Sequence, residues 1–297
     1  MGLSFVSRRA LAVGAMVAAG ALGLSACGSG EPTTASPSGG TSADAGAGAS
    51  APAASGVKLV KPGKITTCTS LPYPPFQAAD NTGKVVGFDV DMVDLAAKKL
   101  GVTQEIVDVK FDVIKSGAAL NGGTCDIAAA GMTITDERKA NLDFASPYFD
   151  EVLGILGKKG AGVKSLDDVK AKGLKLGVQT GTTSLDLAKE KGLAATEFDD
   201  AGKQVLALQS GQVDVVLQDL PVVNDWLKTK TAISDKFELG DTIVSGNQYG
   251  FAVKKGGNPE LLKAVNEALA EGIADGTWAA SYKKWIGSDP VSTPAPK

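Results

Sequence analysis

The chain contains no histidine, and that absence excludes a great deal. Without an imidazole there is no Ser-His-Asp triad, no histidine proton shuttle and no histidine-ligated zinc. Cysteine is scarce, three in 297 residues, too few for a disulfide-built scaffold or a four-thiolate metal site. No apolar run reaches the ~20 residues that a membrane-spanning helix needs. Neither sign of charge dominates: Lys plus Arg number 30 against 33 Asp plus Glu, a net charge of −3. A basic stripe that would hold nucleic acid is therefore missing. Aromatic residues make up only 5% of the chain, yet 43% is hydrophobic, enough to bury the core of one large domain or two modest ones.

The amino terminus reads as an export signal. Arg8 and Arg9 form a short basic region, and Ala10 to Leu24 is an apolar run without charge, the pattern of a cleavable leader. Leu24-Ser25-Ala26-Cys27 resembles a bacterial lipobox, in which residues 1–26 are removed and Cys27 is lipidated as the first mature residue. An ordinary small-residue cleavage site standing before a cysteine is the alternative. Ser7-Arg8-Arg9 also resembles a twin-arginine signal, so the export route stays open. Residues 27–56 are almost all Gly, Ala, Ser, Thr and Pro, with Glu31 and Asp44 the only charges. Such a stretch has too little to bury and is expected to be a disordered linker. The expectation is an exported protein held on the outer face of the cell membrane by the lipid on Cys27. One acyl chain anchors only marginally, so two or three are needed. The folded body is expected over residues 57–288, with 289–297 a Pro-rich frayed tail.

Within the body, β-like runs alternate with helical ones, which predicts an α/β fold of mainly parallel strands. Strands are expected at Lys64 to Thr69, Glu105 to Val109, Asp126 to Ala130, Leu174 to Gln179 and Val213 to Gln218. Helices are expected at Asp89 to Leu100, Val113 to Leu120, Ser184 to Gly192, Gly202 to Ser210 and Pro259 to Ala274, the last capped by Asn258. Two strands end alike, in a Gly/Thr turn that opens a helix: Ala130-Gly131-Met132-Thr133-Ile134-Thr135 and Gln179-Thr180-Gly181-Thr182-Thr183-Ser184. Ligands of parallel sheets sit outside the carboxyl ends of strands, and a helix amino terminus offers free N–H groups to an anion. Two such turns facing across a cleft suit one small anionic group. Asp89, Asp91 and Asp94 fall in the first turns of one helix, where carboxylates complement the dipole and face solvent; they are not read as metal ligands.

The motifs Tyr73-Pro74-Pro75-Phe76, Gly87-Phe88-Asp89-Val90-Asp91, Gly131 to Arg138, Asp143-Phe144-Ala145-Ser146-Pro147-Tyr148, Gly177 to Thr183, Gly211-Gln212-Val213-Asp214, Tyr249-Gly250 and Lys284-Trp285-Ile286-Gly287 stand in one order across about residues 64–287. Together they resemble the extracytoplasmic solute-binding proteins of polar amino acid ABC transporters (family 3, type 2 periplasmic-binding-protein fold). The resemblance implies two α/β lobes closing on a ligand, joined by two hinge crossovers within Phe149 to Leu156 and Ser245 to Val253. Lobe 1 would comprise 57–151 plus 247–288, and lobe 2 residues 152–246.

The same resemblance assigns roles. Arg138 grips the ligand α-carboxylate through its forked guanidinium, with Gly131 and Thr133 adding contacts from the same turn. Thr182 and Thr183 bind the carboxylate from lobe 2, or cap the helix that follows them. Asp219 takes the α-ammonium. Tyr73 stacks over the ligand side chain and Phe111 supplies a second aromatic wall. Ser70 and Ala130 stand where specificity is written; Ser70 replaces the acid often found in relatives specific for basic amino acids. Cys68 and Cys125 lie on neighbouring strands and form either a disulfide or two buried thiols.

The implied function is a non-catalytic, cofactor-free, monomeric receptor. It passes a free polar amino acid to an ABC permease and its ATPase. The rival readings are a cyclohexadienyl-type dehydratase on the same fold, which needs a general acid in the cleft, and a sensory lipoprotein without a transporter.

Overall fold

The computed structural model describes residues 56–294. The expected leader, Cys27, the linker as far as Ser55 and the last three residues lie outside the described residues. All described residues belong to one contact unit, residues 49–297.

The first part of the described chain runs through β1 (Lys64–Thr69), the hairpin strands β2 (Ala78–Ala79) and β3 (Val85–Val86), α1 (Phe88–Lys99), β4 (Thr103–Asp108), α2 (Phe111–Lys115), α3 (Ala118–Asn121), β5 (Ile127–Ala128), α4 (Asp136–Lys139) and β6 (Leu142–Phe144). The long β7 (Phe149–Lys158) leads out to α5 (Leu166–Ala171), β8 (Leu176–Gln179), α6 (Thr183–Glu190), β9 (Ala195–Phe198), α7 (Ala201–Ser210), β10 (Val215–Asp219), α8 (Leu220–Thr229) and α9 (Thr231–Ser234). The chain returns along β11 (Phe237–Tyr249) and ends with β12 (Ala252–Lys254), α10 (Pro259–Ala274) and α11 (Thr277–Ile286).

Two five-stranded sheets result, in the orders β4-β1-β5-β12-β6 and β11-β7-β10-β8-β9. Each sheet has a parallel portion, β4-β1-β5 and β10-β8-β9, and an antiparallel flank. The mixed character corrects the expectation of mainly parallel strands. A chain that crosses to a second lobe and returns must lay its outgoing and incoming segments side by side in opposite directions, as β7 and β11 do.

Two expected elements differ for local reasons. The single helix expected over Val113 to Leu120 is two short helices, because Gly117 adopts φ +78° between them. The sequence reading also passed over α11, which carries Trp278 on its buried face and ends at Gly287 with φ 89°.

The sparse aromatics are concentrated where β7 and β11 meet the first sheet. All four tyrosines belong to this group, together with Phe76, Phe88, Phe149, Phe251 and Trp278. Phe149, which opens β7, stacks on Tyr249, which closes β11, at 5.5 Å between ring centres. The Trp278 indole N–H donates to the Tyr148 carbonyl at 3.1 Å. Both crossovers therefore leave the first lobe from one packed anchor.

Gly87 shows how tightly the Tyr73 loop is seated. The N–H groups of Phe88 and Asp89 donate to the carbonyls of Pro75 and Phe76, each at 3.0 Å. Gly87 has φ +148°, and a Cβ there would fall 2.0 Å from the Phe76 carbonyl oxygen. Gly87→Ala is thus expected to cost about 3 kcal/mol or more, read as a lowered urea midpoint. Cys68 and Cys125 form a disulfide across 57 residues of sequence. Replacing both by serine is expected to lower the unfolding free energy by as much as about 4 kcal/mol, measured in the same urea titrations.

Candidate functional site

Four strand ends converge on one cleft between the sheets. Ser70 follows β1, Ala130-Gly131 follows β5, Gln179 closes β8 and Asp219 closes β10. All five line the cleft with Tyr73, Phe111, Thr133, Arg138, Thr182 and Thr183. The structure thus brings together all eight residues assigned to the ligand, and both positions assigned to specificity.

Gly131 makes the first turn possible. Its φ is +55°, and a Cβ would lie 2.9 Å from the Tyr73 ring, so only glycine allows the turn and the ring to touch. Its N–H donates to Asp89 at 2.8 Å, and the Tyr148 hydroxyl donates to the other oxygen of Asp89 at 2.7 Å. Asp89 is 1% exposed, which corrects the expectation of a solvent-facing carboxylate. Burial pushes its pKa up to about 7 against the opposing pull of those hydrogen bonds. Asp91 is also engaged, accepting from Ser281 and from the Trp285 indole at 2.8 and 2.7 Å.

Thr135 caps the short α4, accepting from the Arg138 N–H, and Arg138 points inward at 4% exposure. Its guanidinium donates to the Thr133 carbonyl at 2.7 Å and, across the cleft, to the Gly181 carbonyl at 3.1 Å. The Phe111 ring lies beneath it, 5.3 Å from the guanidinium carbon, which places Phe111 as a support for Arg138 as well as a cleft wall. Burial lowers the Arg138 pKa, and the charge of Glu151 is the strongest opposing influence. Neutral carbonyls are weak partners for a buried cation, which an anion would satisfy better.

The opposite wall carries the acid. Asp219 is 6% exposed; burial, reinforced by the charge of Glu151, raises its pKa to about 7. The Tyr73 hydroxyl meets both Asp219 and the Gln218 side chain. Gln218 in turn is held by Gln204, which donates to the carbonyls of Gly177 and Leu217. Between the walls the remaining cavity is about 20 Å³, room for little more than a single water molecule. Entry of a solute therefore requires the Tyr73–Asp219 and Arg138–Gly181 contacts to part.

The second turn separates the two threonines. Thr182 is the helix cap: its hydroxyl donates to the Gln179 carbonyl at 2.7 Å and accepts from the Leu185 N–H. The Thr183 hydroxyl donates instead to Glu151 at 2.7 Å.

Glu151, Gln179 and Gln218 were not foreseen as site residues. Gln218 and Asp219 close the same strand, so strand-end position was a usable signal for Gln218, as it was for Gln179. Nothing in the sequence around Glu151 pointed to the cleft. Gln179 is 3% exposed, and its Oε1 has no hydrogen-bond partner among the described residues.

Comparison with known proteins shows the family. Residues 65–288 match the model of the bacterial extracellular solute-binding proteins, family 3. The chain is 36% identical over 221 residues to the L-cystine-binding protein TcyJ of Escherichia coli (strain K12), covering 73% of this chain and 80% of that one. It is 32% identical over 283 residues to a probable histidine-binding protein of Neisseria gonorrhoeae, covering 93% and 96%. The solved structure of an ancestral arginine-binding protein bound to glutamine aligns with a TM-score of 0.70 at 41% identity, over 76% of this chain and 99% of that one. A match spanning nearly the whole described body, with relatives above 30% identity, places the fold among the two-lobe periplasmic-binding-protein structures of type 2, and the chain belongs to the bacterial extracellular solute-binding proteins, family 3.

Proposed function

We propose that the protein is the amino acid receptor of an ABC importer, tethered outside the cell through a lipid on Cys27. The observation that carries the ligand assignment is the pair of opposite groups across one cleft: a buried arginine whose guanidinium donates, among the described residues, to two carbonyls, and a buried aspartate on the other lobe. A zwitterion fits that pair. Its carboxylate replaces the carbonyls around Arg138 and meets the Thr183 and Ser184 N–H groups that open α6, while its ammonium replaces the Tyr73 hydroxyl at Asp219.

The side-chain end of the ligand lies toward Ser70, Phe111 and Gln179. That wall offers neutral polar groups and aromatic surface, and the unpartnered Gln179 oxygen is an acceptor for a side-chain donor. A polar amino acid is therefore the class we assign. The names of the relatives, which include cystine-, histidine- and arginine-binding proteins, support that class. Lobe 1 (57–151 plus 247–288) and lobe 2 (152–246) close by bending in β7 and β11, and the closed pair is what a permease recognises. The receptor is monomeric and performs no chemistry. The raised pKa of Asp219, about 7, suits a general acid and favours a dehydratase instead, so prephenate belongs in the same binding panel, with no turnover expected.

In calorimetry with the common L-amino acids, at least one polar amino acid is expected to bind, and Arg138→Ala to weaken it by about a hundredfold or more, some 2.8 kcal/mol. Binding of none of them would exclude the amino acid assignment.

The pH dependence has a definite sign. Asp219, with its pKa at about 7, is protonated in the closed ligand-free protein below that pH, and an ammonium partner demands the carboxylate. Binding must then expel a proton, so affinity is expected to fall by up to about tenfold per pH unit below 7. Calorimetry in buffers of different ionisation heat reads the released proton, and Asp219→Asn removes the dependence.

A further inference from the structure

Glu151 is the third residue of β7, 1% exposed, and it stands behind the cleft lining. Three side chains from three different places converge on it. The Thr133 hydroxyl, from the lobe 1 turn, donates to Oε1 at 2.6 Å, and the Thr183 hydroxyl, from the lobe 2 turn, donates to the same oxygen at 2.7 Å. The Asn247 amide, on β11, donates to Oε2 at 3.0 Å.

The chemistry of these partners is restrictive. An ionised carboxylate only accepts, whereas a threonine hydroxyl has one proton and two lone pairs. Both threonines therefore commit their single proton to Glu151. Since both also line the cleft, what they offer a ligand is acceptor oxygen. That is the wrong polarity for a carboxylate and the right one for an ammonium. Thr183, expected from resemblance at the carboxylate, then serves that group through its backbone N–H at the start of α6 and not through its hydroxyl.

Resting on the amino acid reading, we propose that Glu151 is a positioning residue for the ligand's ammonium end: it orients the hydroxyls of Thr133 and Thr183 as acceptors, so that they and Asp219 receive the three ammonium N–H donors. The carboxylate is left to Arg138 and backbone N–H groups. The arrangement also explains the grouping of acids. Glu151 and Asp219 raise the local negative potential where an α-ammonium sits, and each lobe contributes one of the oriented threonines, so the ammonium site is complete only when the lobes meet.

The test compares ligands that differ only in the ammonium. The probes are L-glutamine with glutaramate (5-amino-5-oxopentanoate), and L-arginine with 5-guanidinopentanoate, using the pair whose amino acid binds the wild type. In Glu151→Gln the Asn247 amide, which donates to Oε2, holds the new carbonyl on that side, so the new amide takes the place of Oε1 and both hydroxyls face N–H and turn their protons toward the cleft. The amino acid is then expected to lose about tenfold or more in affinity, while the deamino analogue stays within about twofold. Glu151→Asp, which keeps the acceptor, recovers part of the loss. Thr183→Val, which keeps the shape and deletes one acceptor, provides the same discrimination should Glu151→Gln fail to fold. Equal losses for both ligands in a folded variant overturn the positioning role and leave the receptor reading intact. If neither amino acid binds the wild type while another does, the pair is rebuilt on that one; if no amino acid binds, the receptor reading and this inference fall together.

Discussion

A guanidinium buried in a low-dielectric cleft has to be surrounded by negative or dipolar oxygen, and much of this molecule is arranged around that demand. Arg138 finds one carbonyl in its own lobe, on Thr133, and one in the other, on Gly181. The second partner exists only while the lobes touch. Closure and the solvation of one charge are therefore the same event, and in the proposed binding mode a ligand carboxylate competes by offering a full charge in place of two dipoles. The glycine-threonine turns follow from the same demand. Each brings backbone N–H or C=O groups close to the cleft at a strand's carboxyl end, where the helix that follows contributes its positive pole.

The hinge is linked to that site by packing and by hydrogen bonds. The chain has few aromatic residues and gathers most of them at the junction of β7 and β11 with the first sheet, where Phe149 stacks on Tyr249. Thr133 is bridged to Tyr249 in the backbone, which joins the first Gly/Thr turn to the root of the second crossover. Glu151 begins two residues beyond Phe149. Bending that separates the lobes must therefore pass the point where a buried carboxylate holds threonines from both sides. In the proposed positioning role, motion of the hinge and the polarity of the binding groups are coupled through that side chain.

How much of this was legible in the sequence depended on whether the signal was local. The Asn258 cap, Pro259 and the apolar spacing of the following helix are contained within one turn or stripe, and the helix is Pro259–Ala274 as read. The repeated Gly/Thr turns were legible because a strand ending in glycine and reopening as a helix is a local event. Arg138 and Tyr73 stood out by their place in motifs, and Asp219 by its place at the end of a strand. Asp89 misled because its position in a first helical turn is ordinarily solvated; only the fold over it, bringing Gly131 and Tyr148 onto its two oxygens, buries it.

The sequence alone determined the class of the protein, the compositional exclusion of histidine chemistry, the strand-helix alternation, and which residue types stand at the strand ends. These are properties of short segments, set by periodicity, caps and glycine conformations. Tertiary structure decided the pairings: that Arg138 borrows a carbonyl from the opposite lobe, that Tyr73 reaches Gln218 and Asp219, and that Glu151 takes the protons of Thr133 and Thr183. Those pairs lie 18 to 146 residues apart in sequence. Hydrogen-bond direction depends on which donor meets which acceptor in space, and no local pattern records it.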